Sequence, residues 1–514
     1  MPNPIEILFA KAFTAHREHR LAEAEYLYQQ ILKHDPQSLP ALQGLARLAA
    51  HPDPNNPEIY NSYAVLLLAQ NETERAKQLL QTALAHKENY PEALFNLGLT
   101  YLAEHNLHAF LSTLTVDSQF IPAHWQCAAL YWKTENYSKI HPHYQQLLQL
   151  DPDSVELHNN YGVLWLRENQ PDKAAHCFQQ ALERDPKHSE ARNNLAALFL
   201  KSGQYKEAIW HYSLLLNLTP TDHEALYHRA YAQMLSGQLI AAQKDLQTIL
   251  NANPAHRDAR CNLAAIYLKL EDRDAARQQY QILLEAEPNH PIARYLFEAL
   301  NQKTAPQQAP LEYIQHLFDG YAGHFDHHLQ TVLCYQLPEQ LYAQLNPYLT
   351  RQDYTILDLG CGTGLSGLPF RSIAKTLTGI DASEAMLAQA RLKKCYDQLI
   401  QQDICLALDS LPDLFDIILC VDTFVYFGQL QPLFQSIHQH LTEDGLFTFS
   451  TETADDPNTD FYLQRNGRYQ HGDHALERII EQCGLTCLAK IALHGRYQKE
   501  TLVNHTVFIT RKKA

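Results

Sequence analysis

Along the first 300 positions apolar residues recur at helical spacing, in paired segments of about a dozen residues that end at a proline. The prolines Pro152, Pro186, Pro220, Pro254 and Pro288 are 34 residues apart (288 − 254, and each interval before it). In VELHNNYGVLWLRENQPDKAAHCFQQALERDP the spacing predicts a first helix carrying Tyr161, Gly162 and Trp165 and a second carrying Ala174, Phe178 and Ala181. Small residues let the two helices approach, and large ones fill the groove between them. Leu195, Ala196, Phe199, Ala208, Tyr212 and Leu215 hold the same slots in the next unit. Upstream the pattern loosens and breaks at HPDPNNP. Beyond TAPQQAP, Thr304 to Pro310, the texture changes to strand-length apolar runs (TILDL, LTGI, FDIILCV, LFTFS, CLAKIAL, HTVFIT), most of them separated by helical stretches such as SEAMLAQARLKKC. Strands alternating with helices predict a mostly parallel, doubly wound sheet with its ligand at the carboxyl ends of the first strands. The expected organisation is a repeat array over 1–303, a linker over 304–310 that carries no core residue, and a second domain over 311–514. A fragment starting near Gln308 is expected to fold alone.

Composition narrows the partners. The 514-residue chain is 46% hydrophobic, and Asp+Glu 57 against Lys+Arg 41 gives a formal charge of −16. That balance opposes attraction to nucleic acid or an anionic membrane. The segment MPNPIEILFAKAF lacks a basic region followed by a long apolar run, and no stretch reaches 18 uninterrupted apolar residues. A cytoplasmic, soluble protein is expected. The ten cysteines include no C-x-x-C pair, which argues for reduced thiols rather than a metal or redox site.

The stretch YTILDLGCGTGLSG, Tyr354 to Gly367, parses in two ways. Gly362, Gly364 and Gly367 have dinucleotide-loop spacing, with Asp381 about twenty residues on. Read from Asp358 the same stretch is D-x-G-x-G-x-G, with Gly360, Gly362 and Gly364. Charge decides between them. A carboxylate at Asp358 repels a pyrophosphate and suits a ligand that bears an ammonium and a sulfonium. Asp381 can accept from a ribose diol, and Asp403, in QQDI, stands where an acid could accept from an adenine amino group. In this reading Gly367 is a packing residue inside the following helix. The cofactor expected is S-adenosylmethionine.

Both halves resemble known families. The 34-residue period is similar to that of the tetratricopeptide repeats, with about eight units and a closing helix from Pro291 to about Asn301. Residues 311–514 resemble the class I S-adenosylmethionine-dependent methyltransferases, from LDLGCGTG through GIDAS and QQDI to FDIILCVDTFVYFG and LTEDGLFTFSTE. The nearest likeness is to the bacterial predicted methyltransferases that carry tetratricopeptide repeats, whose pattern also includes LFDGYAGHFDHHL and GRYQHGDHALERIIEQCGL. The resemblance implies an α-superhelical solenoid followed by a Rossmann-like α/β domain, and methyl transfer as the activity.

Methyl transfer is an in-line displacement that needs a base only where the acceptor must lose a proton. Asp422, with Thr423, after the fourth strand, Glu452 after the fifth, and His471 in RYQH are the candidates by position. Tyr321 and Phe325 are expected to cover the cofactor, with the tyrosine hydroxyl on its carboxylate. His324, His327 and His328 lack the spacing of a metal site, and none is expected. In the array, Asn96, Asn160, Asn194 and Asn262 share one slot of successive first helices. Their amides could pair with the main chain of an extended peptide, in a manner that resembles the asparagine ladder of the O-linked N-acetylglucosamine transferases. Two functions remain open: methylation of a protein or peptide held by the repeats, or a repeat scaffold whose methyltransferase domain is regulatory or serves a small metabolite.

Overall fold

The computed structural model describes residues 4–18, 20–34, 38–49, 56–102, 106–302, 305–320, 322–333, 335–498 and 501–513. They form two compact units, Met1–Leu198 and Phe199–Ala514. Most of the irregular HPDPNNP unit lies outside the described residues.

The first unit is built from helix pairs, as the period predicts. Val155–Arg167 begins at Ser154, whose hydroxyl accepts from Leu157 N, and Pro171–Arg184 begins with a proline, where no amide donor is needed. Gly162 is required by the packing: a Cβ there would sit 2.5 Å from the ring of Phe178, which is fully buried. Gly98 makes the same allowance for Phe110 two helix pairs earlier, at 2.6 Å.

The second unit continues the pairs through Tyr205–Leu218, His223–Leu235, Leu239–Ala252, Arg257–Lys269 and Arg273–Ala286 to the expected closing helix Pro291–Asn301. A nine-stranded sheet follows: β1 (Tyr354–Leu359), β2 (Ala374–Asp381), β3 (Gln398–Gln401), β4 (Phe415–Cys420), β5 (Leu441–Thr453), β6 (Tyr462–Leu463), β7 (Tyr469–His471), β8 (Leu485–Gln498) and β9 (Thr501–Lys512). The order β3-β2-β1-β4-β5 is parallel throughout, and β9 pairs antiparallel with β5 and β8. β1 and β4, at its centre, are almost wholly buried, which is why TILDL and FDIILCV read as continuous apolar runs rather than alternating ones.

The segment expected to act as a bare linker is built into this unit. Ala309 is buried and its amide donates to Tyr426 O, while Gln307 O accepts from the amides of Gly428 and Gln429. Tyr295, on the closing repeat helix, donates its hydroxyl to Gly467 O at 2.8 Å, and Tyr469 donates to Pro306 O at 2.7 Å. One apolar cluster holds Tyr280, Tyr295 and Leu296 together with Phe424, Leu463 and Tyr469. A cut at Gln308 would split that cluster, so the fragment that keeps it must begin before Arg257–Lys269. Tyr295→Phe, which leaves the Gly467 carbonyl without its donor, should lower the unfolding free energy by about 1–2 kcal/mol, read from urea melts.

Candidate active site

Where β1 meets β2, Gly360 N and Cys361 N both donate to Ile380 O, at 2.9 Å each, and the chain turns back across the strand ends. Three glycines make this turn with positive φ: +74° at Gly360, +54° at Gly362 and +89° at Gly364. A Cβ on Gly360 would strike the Thr423 side chain and one on Gly364 would press on Tyr396, whereas at Gly362 no atom of the described residues lies within 4 Å. Gly362 therefore marks the open side of the loop, where a ligand can lie against the backbone.

That opening belongs to a cavity of about 700 Å³ lined by Gly360 to Thr363, by the strand-end acids Asp381, Asp403 and Asp422, by Arg468, and by apolar side chains that include Phe318, Phe325, Met386 and Phe427. Asp381 accepts from Gly362 N through one oxygen and from Ser383 N through the other, both at 2.9 Å, so β2 fixes the loop through a single carboxylate. Its burial raises its pKa against the pull of those amide donors. Asp403 caps the helix Ile404–Ser410, accepting from Cys405 N and Leu406 N. Both acids keep lone pairs for a further donor.

Asp358 does not line the cavity, which corrects the expectation that it faces the ligand's charge. It lies fully buried beneath the loop, where one oxygen accepts from Ser366 Oγ at 2.6 Å and Tyr396 OH at 2.7 Å and the other has no partner. Desolvation pushes its pKa up to about 6, against the Ser366 and Tyr396 bonds. Gly367 packs as expected, against Tyr396, but it precedes the short 3-10 turn Leu368–Ile373 instead of lying in a helix.

The segment over the cavity is fastened to the loops on either side. Asp326 binds Thr363 Oγ1 and Lys393 Nζ, Lys393 also reaches Thr363 O at 2.7 Å, and Ser383 Oγ donates to Asp319. Phe318 and Phe325 meet edge to face, 5.9 Å between centroids, and both reach the cavity as expected for Phe325. Tyr321 lies outside the described residues.

At the far wall the site departs from the sequence reading. Asp422 has a left-handed backbone, φ +52°, and its amide donates to Ser450 Oγ. Arg468 binds Asp422 through Nη2 at 2.8 Å, Glu452 through Nε at 2.7 Å and the Tyr426 hydroxyl through Nη1 at 3.1 Å. Burial lowers the guanidinium's pKa, but Asp422, Tyr426 and Glu452 outweigh it and hold the group above its ordinary value. Glu452 is buried behind Arg468 and Gln464 and is absent from the cavity lining. His471 is also removed from the cavity: it is fully buried, its Nε2 bonds Gly428 O, and desolvation lowers its pKa to about 4, which keeps it neutral. Of the three candidate bases only Asp422 lines the cavity. Ligand atoms of Asp422, Glu452 and His505 come within 4.8 Å of one another, yet the Arg468 guanidinium bridges the two acids, so the cluster is an ion-paired network. Arg468, Tyr396 and His505 escaped the sequence reading because no spacing marks them. Only the surplus of acids at the strand ends hints at an internal cation.

The asparagine ladder is largely turned inward. Asn96 donates to Asn61 Oδ1 at 2.9 Å, Asn194 to Asn159 Oδ1 at 3.0 Å, and Asn262, itself buried, to the Tyr227 hydroxyl at 3.1 Å. Each of these bonds ties one first helix to the preceding one. Asn160 is half-buried. Beside it a second cavity of about 500 Å³ is lined by Tyr161, Trp165, Asp172, Lys173 and His176.

Residues 356–445 match the family model of a methyltransferase domain, and residues 63–110, 166–234 and 227–291 match models of the tetratricopeptide repeat. The chain is 24% identical over 147 residues to a ubiquinone biosynthesis O-methyltransferase of Rickettsia akari, covering 28% of this chain and 58% of the relative. It is 28% identical over 199 residues to a malonyl-[acyl-carrier protein] O-methyltransferase of Bacillus cereus, covering 37% of this chain and 72% of the relative. For the bifunctional biotin-biosynthesis protein of Saccharophagus degradans the chain spans only 21% of the relative's length. Among solved structures, the tetratricopeptide protein YrrB aligns with 37% of this chain and 97% of its own, at 20% identity and a TM-score of 0.34. The chain thus joins tetratricopeptide repeats to a methyltransferase domain.

Proposed function

We propose that this protein is an S-adenosylmethionine-dependent methyltransferase whose repeats recruit a protein or peptide. The observation that carries the cofactor reading is the cavity at the strand ends. The glycine loop leaves room beside Gly362, and Asp381 at the end of β2 and Asp403 at the start of Ile404–Ser410 line the cavity with carboxylates that would hold a ribose diol and an adenine amino group. Three carboxylates and one guanidinium line it, a balance that favours a cationic ligand over a pyrophosphate. When bound, S-adenosylmethionine supplies an activated methyl group on a positively charged sulfur.

The protein's own contribution is placement and exclusion of water. Phe318, Phe325, Met386 and Phe427 surround the polar groups with apolar surface, which strengthens each electrostatic contact inside. Asp422, fixed by Arg468, stands as the group able to take a proton from an acceptor. The net negative lining argues for a neutral or amine-bearing acceptor rather than a carboxylate.

For the repeats, the cavity at Tyr161 and Trp165 supports capture of a peptide side chain. Those rings stack at 5.3 Å, and Lys173 lies 4.2 Å over Trp165. Asn160 is the one slot asparagine kept in the peptide reading. Radiolabelled cofactor incubated separately with protein and metabolite fractions tests the assignment: label on a protein supports it, and label on metabolites alone favours the scaffold reading. With a protein acceptor, Trp165→Ala should raise KM about tenfold and leave kcat unchanged, the pattern of lost ground-state binding away from the chemistry.

A further inference from the structure

His505 stands behind Asp422, outside the cavity, and no part of the proposed chemistry uses it. It lies on β9, 1% exposed, directly across from Glu452 in the β5–β9 register. Its Nδ1 is 3.2 Å from Val503 O, and a carbonyl oxygen only accepts, so that nitrogen carries the ring hydrogen. In the neutral ring Nε2 is then bare. Among the described residues it has no hydrogen-bond partner; it is sealed from solvent and faces Asp422 Oδ1 at 3.6 Å. Two acceptors held face to face in a buried place gain a hydrogen bond only when a proton arrives between them. The charged groups around the imidazole are Asp422 from the end of β4, Glu452 from β5 and Arg468, which bonds both acids. From β8, Leu493 stands opposite in register.

We propose that His505 is a positioning residue for Asp422, and that the pair receives the proton released by the methyl acceptor. The inference rests on the methyl-transfer reading of the cavity. In the step, the acceptor's electron pair forms the new bond to the methyl carbon while the carbon–sulfur bond breaks, its electrons remaining on sulfur. The acceptor's proton passes to Asp422 and on to His505 Nε2, where an imidazolium between two carboxylates is stabilised. It leaves to solvent after product release. Arg468 holds Asp422 in place, and His505 gives the proton a destination behind the cavity wall.

Two measurements on the full chain test this. In protein labelled with 15N-histidine, the resonances lost in His505→Gln identify His505. The expected state is the Nδ1–H tautomer, and Asp422→Asn should shift the Nε2 resonance, because the amide can donate to the bare nitrogen. An Nε2–H tautomer, or an Nε2 resonance unaffected by Asp422→Asn, overturns the proposal. For methyl transfer from labelled cofactor to the acceptor fraction, the wild-type rate should fall on acidification. His505→Gln should lower kcat at least tenfold at neutral pH and abolish that acid limb, with calorimetric cofactor affinity held within twofold. Unchanged affinity with an unchanged pH profile overturns the role of His505 alone. Absence of cofactor binding in the wild type overturns the methyl-transfer reading on which it rests.

Discussion

Arg468→Met is expected to destabilise the second unit by about 3–5 kcal/mol, the range for removing one member of a buried ion pair. Methionine fills much of the arginine stem's volume, so the loss reports the charge and not a void. The substitution removes a cation that bonds both Asp422 and Glu452, whose side chains are 16% and 3% exposed. Glu452 keeps its bond from Gln464 Nε2, and Asp422 loses its bond from the guanidinium Nη2. The deficit has a pH signature. Carboxylates stripped of their cation in a buried place hold a proton more tightly folded than unfolded, so the folded variant gains relative stability as pH falls. Urea melts should therefore show a larger deficit at pH 7 than at pH 5. Adding Asp422→Asn and Glu452→Gln to Arg468→Met should recover most of the loss, because no charge is then left to satisfy. A deficit that ignores both pH and the neutral partners would mean that Arg468 acts through packing alone.

The second large effect is on the cofactor. Asp381 spends one bond on each oxygen to hold Gly362 and Ser383, and it is the acid at the end of β2 that lines the cavity. Asp381→Ala removes the acceptor for a ribose diol and frees the loop that must lie along the ligand. Losing two buried hydrogen bonds to a charged group costs about 2–4 kcal/mol, or roughly 30- to 1000-fold in Kd. Asp381→Asn should fall between, since its oxygen can keep one loop bond while its amide cannot accept. Asp358, beneath the loop and away from the cavity, should behave differently: Asp358→Asn should change stability more than affinity.

The repeats were legible because their packing repeats in the sequence. Gly162 and Phe178 recur as a small and a large residue at fixed offsets, and the structure brings them together at a distance only glycine permits. The sheet was legible for a related reason: β1 and β4 are buried on both faces, so residues 356–357 and 417–420 read as apolar runs rather than as an alternation. The glycine loop and the acids Asp381 and Asp403 sit where the strand ends place them. What failed depended on contacts between residues far apart in the chain. Asp358 has the right type at the right offset, but Ser366 and Tyr396 draw it beneath the loop. Glu452 and His471 follow their strands as expected and still miss the cavity, because Arg468 covers the first and Gly428 holds the second. The stretch at 304–310 contains two prolines and reads as a spacer, yet edge hydrogen bonds to 426–429 bind it into the unit. The asparagines share one slot, and their spacing gave no sign that Asn96, Asn194 and Asn262 would bond the helix before them.

Calorimetric titration of the full chain with S-adenosylmethionine and, separately, with NAD tests the central claim most directly. One molecule of S-adenosylmethionine per chain should bind, with NAD silent under the same conditions and the heat lost in Asp381→Ala. Tight NAD binding, or S-adenosylmethionine affinity that survives Asp381→Ala unchanged, would contradict the assignment of the cavity.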